Sequence, residues 1–439
     1  MQIKRFIASI ISVLLILQLC GCSLFTVDTE ELLSPPDLTG DLYPIAQALQ
    51  KSVGNDYTLK YPAKGNYRSA VILNDIDSDG VFEAFAFYSI TDGETVSMYI
   101  NVICREGEKW ISVSQQKIVA GGVDKVEFSD LDGDGVDEIL VGWQIYGTSE
   151  MQLAVYSFTG GTLSQRMLQR YSFFLCCDLN EDGENEIFLI NFLPADTVCS
   201  AGIYQLKSDG VTEIAGCSMD GTVKTMSEPR LSELTSGKPA IYVDSVKGAG
   251  AITEVLFIEK NELKNPLYDP ERKETIITLH PASMSSFDIN LDGILEIPIQ
   301  VEVPSVGKTD GNEILYLTEW CSYNGEVLTP KLTALMNYYD GYYITISEKW
   351  MGRIAVQRDI DNRTRQIYAY STDAAKIGEK LCYIQAVDVA EWDAGKYGNL
   401  GLKEFCRYGK TSIVGWVSDY AKNADLTFEE LTAAIHPIE

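Results

Sequence analysis

Apolar residues in this chain fall into short runs rather than long stripes. Ala84-Phe85-Ala86-Phe87-Tyr88 and Ile139-Leu140-Val141-Gly142-Trp143 are typical, being rich in β-branched or aromatic side chains and bounded by polar turn residues. Runs of this length and composition predict strands. Between about residues 65 and 338 they recur in a set order: an acidic loop, a strand, a second strand ending in a tight turn, and a third leaving that turn. The turns are Arg105-Glu106-Gly107-Glu108, Phe158-Thr159-Gly160-Gly161, Lys207-Ser208-Asp209-Gly210, Glu259-Lys260-Asn261-Glu262 and Tyr323-Asn324-Gly325-Glu326. With the strand before each loop, this makes four antiparallel strands per roughly 50 residues, the unit of a propeller blade.

The acidic loops carry the candidate chemistry. Asp130-Leu131-Asp132-Gly133-Asp134-Gly135-Val136-Asp137-Glu138 offers side-chain oxygens at positions 1, 3, 5 and 9, a backbone carbonyl at 7 and a glycine at 6. A hard, flexible cation such as calcium takes oxygen ligands of this kind, and the glycine permits the sharp turn. Three copies place the same atoms at Asp75, Asp77, Asp79, Val81 and Glu83; at Asp178, Asn180, Asp182, Glu184 and Glu186; and at Asp288, Asn290, Asp292, Ile294 and Glu296. In the loop at 130–138 the expected ligands are Asp130, Asp132, Asp134, Val136 and Glu138. The loop glycines lie 55, 48 and 110 residues apart, so a copy is missing midway in the last interval. A decayed one stands at Gly237, with Ser232, Leu234, Ser236 and Ala240 at positions 1, 3, 5 and 9. Five repeats are expected, four of them binding metal.

An EF-hand loop begins the same way but needs a bidentate Glu at position 12 and flanking helices. Here position 12 is Ala86, Val141, Leu189 or Ile299, and the flanks are strand-like. The loops instead resemble FG-GAP and VCBS-type repeats, the calcium-bearing blades of integrin α-subunit propellers and of many bacterial surface proteins. The resemblance covers roughly residues 65–335 and does not extend to the family's Phe-Gly and Gly-Ala-Pro signatures. It implies structural calcium and a role in binding a protein or glycan.

The ends of the chain are different. Lys4 and Arg5 precede an apolar run of fourteen residues, 6–19, which is too short to span a bilayer and has the proportions of a secretory leader. Leu19-Cys20-Gly21-Cys22 resembles the bacterial lipobox, implying cleavage after residue 21 and diacylation of Cys22. Residues 22–40, with Ser34-Pro35-Pro36, read as an acidic tether, and 41–64 as a helix near 44–53 plus a lead-in strand. Residues 339–439 carry no acidic loop. Strands are expected there at 342–347, 352–358, 365–371 and 381–390, and helices near 400–408 and 427–435. Gly341-Tyr342-Tyr343-Ile344 and Trp350-Met351-Gly352-Arg353-Ile354 resemble the C-terminal α+β module of clostridial-type surface lipoproteins.

Charge narrows the partners. The chain is net −28; residues 1–21 carry +2 and 339–439 carry −3, which leaves −27 on 22–338. Without its leader the chain is −30, and four calcium ions would still leave −22, so nucleic acid is excluded as a partner. Eight cysteines beyond Cys20 and Cys22 sit mostly in apolar strands with no disulfide framework, and most are expected to be unpaired. With only His280 and His436, histidine-based zinc sites and triads have little to draw on, and His280 reads as structural.

These readings converge on a mainly β chain: a β-propeller of five or six four-stranded blades at 65–338, followed by a small α+β domain at 339–439. A degenerate sixth blade plus a tail is the alternative for that last part. The expected function is a lipid-anchored, extracytoplasmic binding module at a bacterial membrane surface. A polysaccharide lyase or hydrolase on a propeller scaffold is the first alternative, and a subunit of an envelope complex the second.

Overall fold

The turn glycines and acidic loops cut the apolar runs into strands that pair with their nearest neighbours in sequence. The computed structural model describes residues 42–93, 95–306, 314–423 and 426–438. The expected leader at 1–21, the lipidation residue Cys22 and the tether at 22–40 lie outside the described residues. Among the described residues strand accounts for 56% and helix for 10%, so the fold is mainly β. The chain divides into two compact units, 1–127 with 141–148 and 158–164, and 128–140 with 149–157 and 165–439.

The first unit opens with the helix Tyr43–Val53. A proline in its first turn fits because that residue's missing N–H has no intrahelical partner there. Gly54 ends it at φ +87°, its N–H donating to the Gln50 carbonyl at 2.9 Å. Ile45 and Leu49, four residues apart on one face, pack on Val71, Ala84, Ala86, Tyr88 and Ile103 of the first sheet. That sheet comprises Val71–Asn74, Glu83–Asp92, Thr95–Glu106 and Lys109–Ile118, with Thr58–Leu59 added alongside Glu83–Asp92. The lead-in strand is therefore part of the first sheet.

The second sheet, Gly122–Ser129, Glu138–Gln144, Met151–Thr159 and Thr162–Tyr171, gives segments to both units. The rest lies in the larger unit. The third sheet is Phe173–Cys177, Glu186–Leu193, Val198–Lys207 and Gly210–Met219. The fourth is built on Arg230–Glu233, Pro239–Lys247, Gly250–Glu259 and Glu262–Lys264. The fifth is Ile297–Val303, Leu315–Tyr323, Leu328–Asn337 and Tyr342–Thr345, and takes Ile435–Pro437 as a fifth strand. The sixth contains Ile354–Asp359, Thr364–Ser371, Lys376–Asp388, Thr411–Val417 and Lys403–Tyr408.

Within the larger unit, successive sheets share cores. Leu140 and Val155 of the second meet Phe174 and Leu189 of the third. Phe188 and Ile203 of the third meet Ile241 and Leu256 of the fourth, and Tyr242 and Phe257 of the fourth meet Ile297 and Tyr323 of the fifth. Leu317 and Ile344 of the fifth meet Val356 and Ile384 of the sixth. Meandering four-stranded sheets stacked in chain order are the blades of a β-propeller. The expected helix at 400–408 is instead the strand Lys403–Tyr408, turned back onto Thr411–Val417 at Gly409 (φ +56°). The helix expected at 427–435 is present as Phe428–Ala434, with Thr427 and Glu430 forming a capping box. Among the described residues no helix is long and apolar enough to cross a membrane.

Candidate metal centres

The four acidic loops adopt one conformation, and its hydrogen bonds show why each position holds the residue it does. The position-1 carboxylate accepts the N–H of the position-6 glycine: Asp75 from Gly80 at 3.0 Å, Asp130 from Gly135 at 2.9 Å, Asp178 from Gly183 at 2.9 Å and Asp288 from Gly293 at 2.8 Å. The position-5 carboxylate of Asp79, Asp134, Asp182 or Asp292 accepts the N–H of Val81, Val136, Glu184 or Ile294 at 2.7–2.9 Å. This anchors the residue whose carbonyl the sequence assigns to the ion. The position-9 glutamates reach back across the loop, Glu83 to the N–H of Ile76, Glu138 to Leu131, Glu186 to Leu179 and Glu296 to Ile289, at 3.0–3.3 Å.

That last bond was not anticipated from ligand spacing alone. All four position-9 glutamates are buried, and the position-2 side chains Ile76, Leu131 and Leu179 are buried beside them. The sequence signal was the unbroken Ile or Leu at position 2. Ser157 also donates to Glu138 at 3.0 Å, and Asn185 of the third loop donates to Ser129, next to the second, at 3.1 Å.

Burying a carboxylate among other carboxylates disfavours its ionised form. Burial, then repulsion from Asp132 and Asp134, pushes Glu138 up to about 7, and burial with Asp182 and Asp178 does the same to Glu186. Glu83 and Glu296 rise for the same reasons, as does Asp132 through burial and then Asp134. In the first two loops the carboxylate oxygens of Asp75, Asp77 and Glu83, and of Asp130, Asp132 and Glu138, lie within 4.8 Å of one another. Oxygens at about 2.3–2.6 Å from one calcium ion lie within about 5 Å of each other. The donor set thus fits a divalent cation in chemistry and in spacing. Asp79 and Asp134 stand outside these trios.

The third and fourth loops differ at position 3. The Asn180 amide nitrogen donates to Asp182 at 2.9 Å and to Glu186 at 2.5 Å, while its oxygen accepts the Asp182 N–H. Asn290 repeats this with Asp292 at 3.0 Å and Glu296 at 3.2 Å. An N–H₂ group here links the two carboxylates that a cation would join.

The decayed loop at 232–240 keeps its hairpin without carboxylates at the four ligand positions. Leu234 donates to the Lys238 carbonyl and Gly237 to the Leu234 carbonyl, each at 2.8 Å, and the Leu234 side chain is buried. The buried acids of this fourth blade lie elsewhere. Asp220 pairs with Lys247 at 2.7 Å, and Lys247 also bonds Glu274 at 2.8 Å and the Thr275 carbonyl at 3.0 Å. Glu254 accepts from Asn265, Thr275 and the Asp220 N–H. Asp244 pairs with Arg230 at 2.5 Å and accepts from Thr253 and Ser286. His280 is buried against Thr253 and the Pro281 carbonyl, and burial holds it below the usual histidine range, so it is neutral and structural. The eight described cysteines form no disulfide with one another, and burial pushes Cys321 and Cys382 up to about 12.

No family model and no curated protein matches the chain. Among solved structures it is similar to the periplasmic gluconolactonase of Pseudomonas aeruginosa, at 12% identity over 74% of this chain and 88% of that one, with a TM-score of 0.30. It is also similar to an exotype rhamnogalacturonan lyase, YesX, at 11% identity over 73% and 83% (TM-score 0.31), and to the Dos1 propeller at 9% over 71% and 79% (TM-score 0.25). Scores this low carry no argument about substrate or chemistry.

Proposed function

We propose that this chain is a lipid-anchored, extracytoplasmic β-propeller of the FG-GAP/VCBS type, which holds about four structural calcium ions and serves as a binding module for a protein or glycan. The observation that carries this reading is the recurrence of one loop geometry four times, each closed by a buried glutamate amid like charges. Calcium supplies neutralising charge at these loops. The chain's own residues do the rest: the position-6 glycine turns the loop, the position-1 and position-5 aspartates fix its backbone, and the position-9 glutamate ties it to the following strand. At extracellular calcium levels, sites with Kd values of about 10⁻⁴ to 10⁻³ M would be filled. Acyl chains on Cys22 would hold the blades at a membrane surface.

Calorimetric titration of the purified protein with calcium at neutral pH tests the reading. Saturable binding of about four ions, reduced in Asp130→Ala/Asp134→Ala, is expected. Absence of binding at several millimolar calcium would overturn it. Release of the protein from membranes by Cys22→Ser tests the anchor.

A further inference from the structure

The fifth sheet turns one face to the core it shares with the sixth, through Leu315, Leu317, Leu335 and Ile344. Strand alternation sends Tyr316, Thr318, Trp320, Met336 and Tyr343 to the other face. On that face Met336, Tyr343 and His436 are paired in one row across three strands, and Gln300 is paired with Thr318. Two cavities open beside it, the smaller one lined also by Leu315, Leu335 and Val356 of the shared core. The larger, about 420 Å³, is walled by Phe287, Trp320, Tyr343 and His436, and the smaller, about 220 Å³, by Gln300, Thr318, Arg358 and Arg365. Met284, Met336 and Tyr338 line both, so the two form one groove.

The aromatic end is open. Phe287 is 53% exposed and Tyr338 42%. Leu291, on the rim, is 85% exposed and has φ +61°, a left-handed conformation that branched side chains avoid. The loop imposes that conformation at its fourth position, where Ser78, Gly133 and Glu181 also have positive φ. The bare aliphatic side chain is particular to the loop beside the groove. The other end is rich in donors. Arg358 and Arg365 stand directly opposite each other on neighbouring antiparallel strands, an arrangement in which like charges repel. Arg365 is 6% exposed and donates to the oxygens of Asn337 and Thr364 at 3.1 and 3.0 Å. Arg358 and Arg365 are the charged side chains among the described residues lining the smaller cavity.

Exposed aromatic rings present flat faces that match the C–H face of a pyranose, and a guanidinium fork matches a carboxylate. We propose that this groove binds an acidic saccharide, with a pyranose ring against Tyr338 and Phe287 and its carboxylate at Arg358 and Arg365. The hydroxyl and amide groups of Ser283 and Gln300 suit sugar hydroxyls. The proposal rests on the binding-module reading and names its ligand class.

The test is calorimetric titration of the whole, calcium-saturated protein with trigalacturonate, with the neutral galactose trisaccharide and with a glutamate-rich peptide. Saturable binding of trigalacturonate is expected, with the neutral sugar weaker by about tenfold or more. Arg358→Gln should weaken trigalacturonate by about 10- to 100-fold. Tyr338→Ala and Phe287→Ala, at exposed positions, should weaken both sugars, with melting and calcium titration unchanged. Binding of trigalacturonate that Arg358→Gln leaves intact would overturn the groove assignment and spare the binding-module reading. Preference for the peptide, or failure of every uronate to bind a protein that does bind calcium, would overturn the ligand class. Failure of the calcium titration would sink the calcium-module reading alone, since loss of uronate binding in Arg358→Gln would still support the groove.

Discussion

The loop at 130–138 and its counterpart at 232–240 make the same strand-to-strand connection by different means. In the first, Asp130 and Glu138 close the turn with carboxylates that then crowd one another. In the second, backbone bonds close it and the buried Leu234 packs with Tyr242, Phe257 and Tyr323. The glycine is common to both, at φ +85° for Gly135 and +81° for Gly237. Its retention is a requirement of the turn, independent of any ion. The fourth blade has not shed buried charge; it neutralises Asp220 and Asp244 with Lys247 and Arg230. On the calcium reading proposed above, one set of blades would rely on a cation from solution, whereas the fourth pairs its buried acids with cations of the chain.

The largest expected effect is a direct break of that contrast. Chelating calcium should lower the melting temperature more than any single substitution, because each filled site contributes about 2.7 kcal/mol when calcium is about 100-fold above its Kd. Asp130→Ala/Asp134→Ala should lose part of the calcium-dependent rise in a melting series with calcium and with chelator. If chelation leaves the melting temperature unchanged, the loops are solvated turns and the contrast disappears.

Next in size is the chain's own cation. Lys247→Met would leave Asp220 buried and unpaired, at a cost of about 3–5 kcal/mol. Denaturant unfolding should give the same loss with calcium as without. A loss that calcium repairs would mean that the two kinds of blade are not independent.

A pH series sharpens the contrast within the fourth blade. Burial pushes Glu254 up to about 7 despite the donors around it, whereas hydrogen bonds from Lys247 and Thr222 outweigh burial and hold Asp220 below the usual carboxylate range. A carboxyl whose folded pKa exceeds its unfolded value adds stability that is fully present below the unfolded value, near 4.5, and is lost as pH rises through about 7. Glu254→Gln should therefore flatten the stability profile between those values, by about 1–3 kcal/mol relative to the parent chain. Identical profiles for the two proteins, measured in saturating calcium, would show that Glu254 is ionised throughout.

What was legible in the sequence was what repeats locally. The loops, turns and blade order follow from spacing, and the helix expected at 427–435 stands as Phe428–Ala434. The strand Lys403–Tyr408 was misread because Phe405, Cys406 and Tyr408 fit a helix face as well as a strand; the Gly409-Lys410 turn was the signal that decides it. The Asp220–Lys247–Glu274 cluster brings together residues from three separate segments, and no local pattern announces such a meeting. At Asn180 and Asn290 the sequence supplied an oxygen ligand, but only the folded loop reveals that the amide nitrogen already links the neighbouring carboxylates.

That detail yields the smallest effect and the finest test. In Asn180→Asp the bonds from the amide nitrogen to Asp182 and Glu186 are lost, and a fourth carboxylate joins those of Asp178, Asp182 and Glu186 at the side-chain ligand positions. Without calcium the change should cost about 1 kcal/mol or more, since a net hydrogen bond is worth about that much and the added repulsion acts in the same direction. With calcium the sign should reverse. No amide need be displaced, an anionic oxygen replaces a neutral one, and affinity rises with ligand charge. Unfolding measured on the parent and Asn180→Asp proteins across a calcium series should therefore give two curves that cross. The reciprocal change, Asp132→Asn, should stabilise the calcium-free protein and weaken calcium binding at its loop. Parallel curves, with Asn180→Asp less stable at every calcium concentration, would mean that the amide at position 3 is a permanent strut, and that the third loop belongs with the fourth blade among those the chain neutralises for itself.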